Sequence, residues 1–195
     1  MKKDALVNAL NIAFVIALFM LFRDFNIPYP RSLSGLWTYH SEYLRMGMAA
    51  LWLTALWVSL YPLWDSVERV SRGALLAGAG LMLSMPIITV LNYFIVFQKK
   101  VRLFQQMLGG WMLLILGLCL LLIYALGRVN ADEPGFDDAA RRLRRTLIVA
   151  MGIQAAGLVM CLIWSQRSVV YAAIVAGLWM LCASVLPCCT GKKTP

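Results

Sequence analysis

Long apolar stretches follow one another along most of this chain, and the charged residues are confined to the gaps between them. Six stretches are read: Asp4–Phe22, Arg45–Leu63, Gly73–Phe97, Met107–Leu126, Thr146–Trp164 and Val169–Pro187. A bilayer core about 30 Å thick takes about 20 mainly apolar residues as a helix, with a working range of ~17–25. Every stretch meets that length, and lipid offers no partner to an open backbone amide, so each is predicted to be helical. The chain is therefore predicted to be all-α, a polytopic integral membrane protein of about six transmembrane helices. The spans use most of its 195 residues, so a single transmembrane domain over 1–195 is expected, with no separate soluble domain. The first stretch is long and poor in small cleavage-site residues, and it reads as a retained helix rather than a signal peptide.

Lysine and arginine set the orientation. With the N-terminus in the cytoplasm, the inside segments hold eleven basic residues, from Lys2 and Lys3 through Arg69, Arg72, Arg128 and Arg141–Arg145 to Lys192 and Lys193. The outside segments hold seven, among them the group Lys99, Lys100 and Arg102. The positive-inside rule thus predicts both termini cytoplasmic. The net charge of +9 comes from residues that flank helices, not from a basic surface interleaved with exposed aromatics. Attraction to anionic headgroups, about 1 kcal/mol per basic residue near the surface, accounts for it, and no nucleic-acid partner is expected. Compact size and short loops point to a bacterial inner membrane.

The connecting segments are short. Pro28 and Pro30 extend the outside loop 23–43, and Trp37, Tyr39 and Tyr43 lead into the second span as interfacial aromatics do. His40 stands there without a second ligand and reads as a solvated loop residue. The link 64–72 predicts an antiparallel hairpin of spans two and three, and the four residues 165–168 predict another of spans five and six. The segment 128–145 is read as the cytosolic loop, with a short helix opening at Phe136. Within it Arg141, Arg142, Arg144 and Arg145 read as a headgroup contact before span five, or as a docking site for a cytosolic partner. Pro86 in span three frees the carbonyl of Met82, which Ser84 or Thr89 is placed to satisfy. A kink is expected there, either a static bend or a gating hinge. No internal repeat stands out.

Little of the chain carries reactive chemistry. Cys119, Cys161 and Cys182 lie inside spans as small hydrophobes, and the adjacent Cys188 and Cys189 are small residues at a helix end or acylation sites. No metal or cofactor is expected. A lone histidine and nine acids, mostly in loops, provide no nucleophile and base in a shared site, so an enzyme is not expected. Intramembrane polarity is limited to Thr54, Ser59, Ser84, Thr89, Asn92, Gln154 and Ser184, none of them a carboxylate, which disfavours a proton relay or a carrier. The best constellation lies in span one. Asp4, Asn8 and Asn11 are spaced i, i+4, i+7 on one helical face, continued by Val15, Leu18 and Phe22. Two readings stand: the lining of a narrow pore, polar below and apolar above, or asparagines bonded to a neighbouring helix as packing contacts.

The opening Lys2-Lys3-Asp4-Ala5-Leu6-Val7-Asn8-Ala9 resembles that of the small bacterial six-helix proteins related to the lysosomal potassium channel. A Pro-containing loop after span one, Trp52 and Trp57 in span two and Pro86 late in span three fit the same layout. The chain departs from it where the Phe-Ser-Asp signature is replaced by Leu6, Val7 and Asn8. It departs again where Leu60-Tyr61-Pro62 stands in place of a His-rich end to span two. The resemblance implies a tetramer with span one lining a pore for a monovalent cation, potassium-like, constricted by apolar side chains. Asn8, Asn11, Val15, Leu18 and Phe22 are then the pore-lining candidates, with dewetting at Val15 and Leu18 as the barrier. The alternative is a non-conducting membrane adaptor that binds a partner through 128–145.

Overall fold

The computed structural model describes residues 3–23, 40–97, 101–164 and 167–189. Six helices form: α1 (Lys3–Arg23), α2 (His40–Asp65), α3 (Arg72–Phe97), α4 (Val101–Asn130), α5 (Phe136–Ile163) and α6 (Ser168–Cys189). All six are long and apolar enough to cross a bilayer. Among the described residues there is no strand. Pro28, Pro30, Trp37, Tyr39, Lys99 and Lys100 lie outside the described residues, as do the side chains of Cys188 and Cys189. His40, expected in a loop, is the first residue of α2.

The helices form a closed ring of neighbours in the order α1, α3, α4, α5, α6, α2. Helices α5 and α6 pack closely, as the short link between them predicts. The hairpin expected of α2 and α3 does not form. These two make only minor contact, while α2 lies along α6 and α3 along α4 and α1. The reason is in the link itself. Trp64 and Val67 are buried, so the link fills core space instead of turning tightly at the surface. Asn130, at the end of α4, then holds it open. Its Oδ1 accepts from the amides of Glu68 (3.0 Å) and Arg69 (2.9 Å), and its Nδ2 donates to the carbonyls of Arg69 and Leu126. Ser71 completes the joint, capping Ala74 N and donating to Ala125 O.

The loop read at 128–145 is mostly helix. Arg128 and Asn130 belong to α4, only 131–135 is a turn, and α5 runs unbroken from Phe136 into the span. Phe136, Leu143 and Leu147 continue the buried stripe of α5 outward at helical spacing, so the apolar face does not stop at the charges. Phe136, 1% exposed, seats beside Gly127 of α4. Gly135, at φ 85, turns the chain into α5 through a left-handed conformation that favours glycine. Asp137 and Asp138 lie in the first turn, where the helix dipole favours negative charge.

Small residues set the closest approaches. A Cβ added at Gly157 of α5 would overlap Ala172 Cβ of α6 and come 3.1 Å from Ser168 O. Between α1 and α3, Gly78 receives Leu6, whose Cδ1 lies 2.7 Å from where a Cβ would stand. Without a hydrophobic drive between helices in lipid, such close backbone packing is a main source of association.

Candidate functional site

Among the described helices α1 packs on α3 and, less, on α2, and it is the least covered of the six. Only 28% of its apolar window is buried, against 50% for α2 and α3. Its inner face is Leu6, Leu10, Ala13, Phe14, Ala17 and Leu21, a helical stripe that meets α3 and α2. At 100° per residue the face directly opposite is Asn8, Ile12, Val15, Phe19 and Phe22. The structure leaves that face uncovered. Ile12, Val15, Phe19 and Phe22 are 59%, 65%, 63% and 55% exposed, and Asn8 and Asp4 are exposed below them.

The five pore-lining candidates therefore separate. Asn8, Val15 and Phe22 share the outward face. Asn11 and Leu18 lie on its flank. Leu18 is half-buried and packs against the core. Asn11 Oδ1 accepts a hydrogen bond of 3.0 Å from Trp57 Nε1 of α2, and Trp57 stands edge-on to Tyr61. One asparagine thus acts as an interhelical contact, and the other lies on the open face. Ile12 and Phe19, which sequence reasoning passed over, lie near the centre of that face. The signal was present: each is four residues beyond a residue already chosen, Asn8 or Val15.

Pro86 lies within an unbroken α3, half-buried between the fully buried Met85 and Ile88. The nearby hydroxyls bond carbonyls other than that of Met82: Ser84 donates to Gly80 O and Thr89 to Pro86 O, each at 2.6 Å. Trp111 Nε1 of α4 donates to Ser84 O at 2.9 Å, tying the turn before the proline to its neighbour. Arg141, Arg142, Arg144 and Arg145 are exposed on the first turns of α5. In the span region, Cys119 and Cys161 are buried and Cys182 is exposed.

Further polar side chains lie in the interior. Ser59 of α2 and Ser184 of α6 face each other at 2.9 Å between hydroxyls. Trp52 Nε1, Asn92 Oδ1, Gln105 Oε1 and both amide atoms of Gln154 are buried without a hydrogen-bond partner. Arg102 reaches across from α4 to the carbonyl of Leu162. Among the described residues, no three His, Cys, Asp or Glu side chains gather as a metal site.

No protein-family model matches the sequence, and no curated protein matches it. A solved structure does: the crystal structure of a lysosomal potassium-selective channel TMEM175 homolog from Chamaesiphon minutus. The match has a TM-score of 0.77 at 13% identity and covers 93% of this chain and 97% of that one. The chain has the fold of that channel. The match runs over nearly the full length of both chains, so the shared fold takes in the helical bundle as a whole. With the six spans, the TMEM175-homologue fold makes this an integral membrane protein.

Proposed function

We propose that the chain is a channel-like membrane protein that assembles as a homo-oligomer, with α1 of each copy lining a shared path for a monovalent cation. The observation that carries this reading is the outward face of α1. An asparagine exposed on a membrane-spanning helix is costly against lipid, and such groups generally face protein or water. Asn8 sits on the one helix with the least cover from its own protomer, beneath the apolar Ile12, Val15 and Phe19. A bundle of such helices would give a polar entrance followed by a constriction that excludes water. The fold shared with the homolog of a potassium-selective channel supports a potassium-like ion, and the tetramer is what the resemblance of the opening segment implies.

The test is potassium flux into liposomes holding the purified protein, with oligomeric mass determined on the same preparation. Flux from an oligomer, raised by Val15→Ala, is the expected result. A stable oligomer without flux across a range of voltage and pH would overturn it.

A second reading has its own observation. The first turns of α5 present Asp137, Asp138, Arg141, Arg142, Arg144 and Arg145 on an exposed face outside the apolar span. A non-conducting oligomer whose capture of a soluble protein is abolished by charge reversal at Arg141–Arg145 would favour the adaptor function.

A further inference from the structure

Where α2 and α6 end and α5 begins, three helices leave a cavity of about 260 Å³, at the end of the bundle where α1 starts. Its walls are apolar, with Pro62 and Leu63 from α2 and Ala183 from α6. Its floor is polar. Ser59, Thr146 and Ser184 contribute three hydroxyls, one from each helix. Each can donate to a backbone carbonyl: Ser59 Oγ to Ala55 O (2.8 Å), Thr146 Oγ1 to Arg142 O (3.1 Å) and Ser184 Oγ to Met180 O (2.7 Å). Ser59 and Ser184 also share a bond of 2.9 Å, in which one accepts from the other and still keeps a second lone pair. A hydroxyl that has donated keeps acceptor lone pairs, so this floor favours a ligand that brings N–H groups. Asp138 and Arg142 also line the cavity, one helical turn apart on α5 and both exposed.

This is a two-charge site. Arg141 and Arg144 border a different cleft, with Asp137, Ala140 and Ile123, so Asp138 and Arg142 are the two charged residues of this one. We propose that the cavity binds the headgroup of a zwitterionic aminophospholipid, its phosphate on Arg142 and its primary ammonium on Asp138 and the hydroxyl floor. The chemistry selects this occupant. Guanidinium matches a phosphate. An acidic headgroup without an amine would leave Asp138 facing added negative charge, and a quaternary ammonium has no N–H for the hydroxyls. The apolar lining from Pro62, Leu63 and Ala183, at the ends of two spans, suits a lipid's glycerol and first methylenes. The site stands apart from conduction and does not depend on it.

Native mass spectrometry of the delipidated full-length protein tests this, with phosphatidylethanolamine, phosphatidylglycerol and phosphatidylcholine of matched chains as probes. Phosphatidylethanolamine should be retained preferentially, and Arg142→Ala or Asp138→Asn should each lower its retention about tenfold, the scale of one charge-assisted hydrogen bond. Arg141→Ala should leave it unchanged. Stronger retention of phosphatidylglycerol, or an equal loss in Arg141→Ala, would overturn the proposal in favour of a diffuse basic surface. Equal retention of all three lipids would overturn it in favour of unselective annular lipid. Soluble phosphoethanolamine should compete poorly, and competition equal to that of the lipid would overturn the membrane source.

Discussion

Trp57 Nε1 of α2 donates to Asn11 Oδ1 of α1 at 3.0 Å, a side-chain hydrogen bond that joins the least-covered helix to the bundle. It ties the flank of α1 to α2, while the packing of Leu6 at Gly78 and of the rest of the buried stripe sets which face goes inside. Interhelical side-chain bonds in membranes average about 0.6 kcal/mol. Asn11→Ala and Trp57→Phe should each destabilise the protein, and a double-mutant cycle on unfolding in detergent should return a coupling near that value. Fully additive effects would deny the bond an energetic role.

Val15 and Leu18 should behave differently although they are three residues apart. Val15 is exposed, so Val15→Ala should leave protomer stability within about 0.5 kcal/mol, the usual range for surface changes. Leu18 packs against the core, and Leu18→Ala should lower the melting temperature. Melting curves of both variants, read beside their potassium flux, separate a pathway effect from a folding effect.

Gly157 admits α6 to α5. Gly157→Ala should cost about 1–3 kcal/mol, the usual range for overpacking a well-fitted site. Ala172→Gly, which removes the overlapping methyl, should recover part of that loss. Thermal unfolding of the single and double variants checks both statements; a Gly157→Ala protein as stable as the parent would show that the helices separate without cost.

Asn130 ties the α2–α3 link to the end of α4. Asn130→Ala strips the part-buried amides of Glu68 and Arg69 of their acceptor, and a typical intramolecular hydrogen bond contributes about 0.5–1.5 kcal/mol. Hydrogen exchange should accelerate at those two amides while the middle of α4 stays protected. Unchanged exchange at Glu68 and Arg69 would mean that water replaces the side chain.

Gly135 holds φ 85 between α4 and α5. A left-handed residue with a Cβ costs about 1–2 kcal/mol, so Gly135→Ala should destabilise, and Gly135→Asn should do so less. The order of melting temperatures parent, Asn, Ala is the expected result.

Much of the architecture was legible in the sequence. Spans at Asp4–Phe22, Gly73–Phe97 and Val169–Pro187 fall within α1, α3 and α6 almost end to end, because a run long enough to cross lipid has few other places to go. The length of α5 was harder to see. Arg141–Arg145 read as the end of a loop, yet Phe136 and Leu143 share the helical face of Leu147, and burial of that face carries the helix past its charges.

Sequence alone determined the class of this protein: all-helical, six spans, charges at the rims, polarity at one end of α1. Only the tertiary structure decided which helices are neighbours and which face of α1 remains open. It paired α2 with α6 instead of α3, turned Asn11 to Trp57 and left Asn8 outward. The physical reason is the solvent. In water, apolar periodicity marks the buried face, but lipid tails are as apolar as leucine. A stripe of Ile12, Val15 and Phe19 therefore reads the same as the buried stripe of Leu6, Leu10 and Ala17 until close packing, at sites such as Gly78, settles which one goes inside.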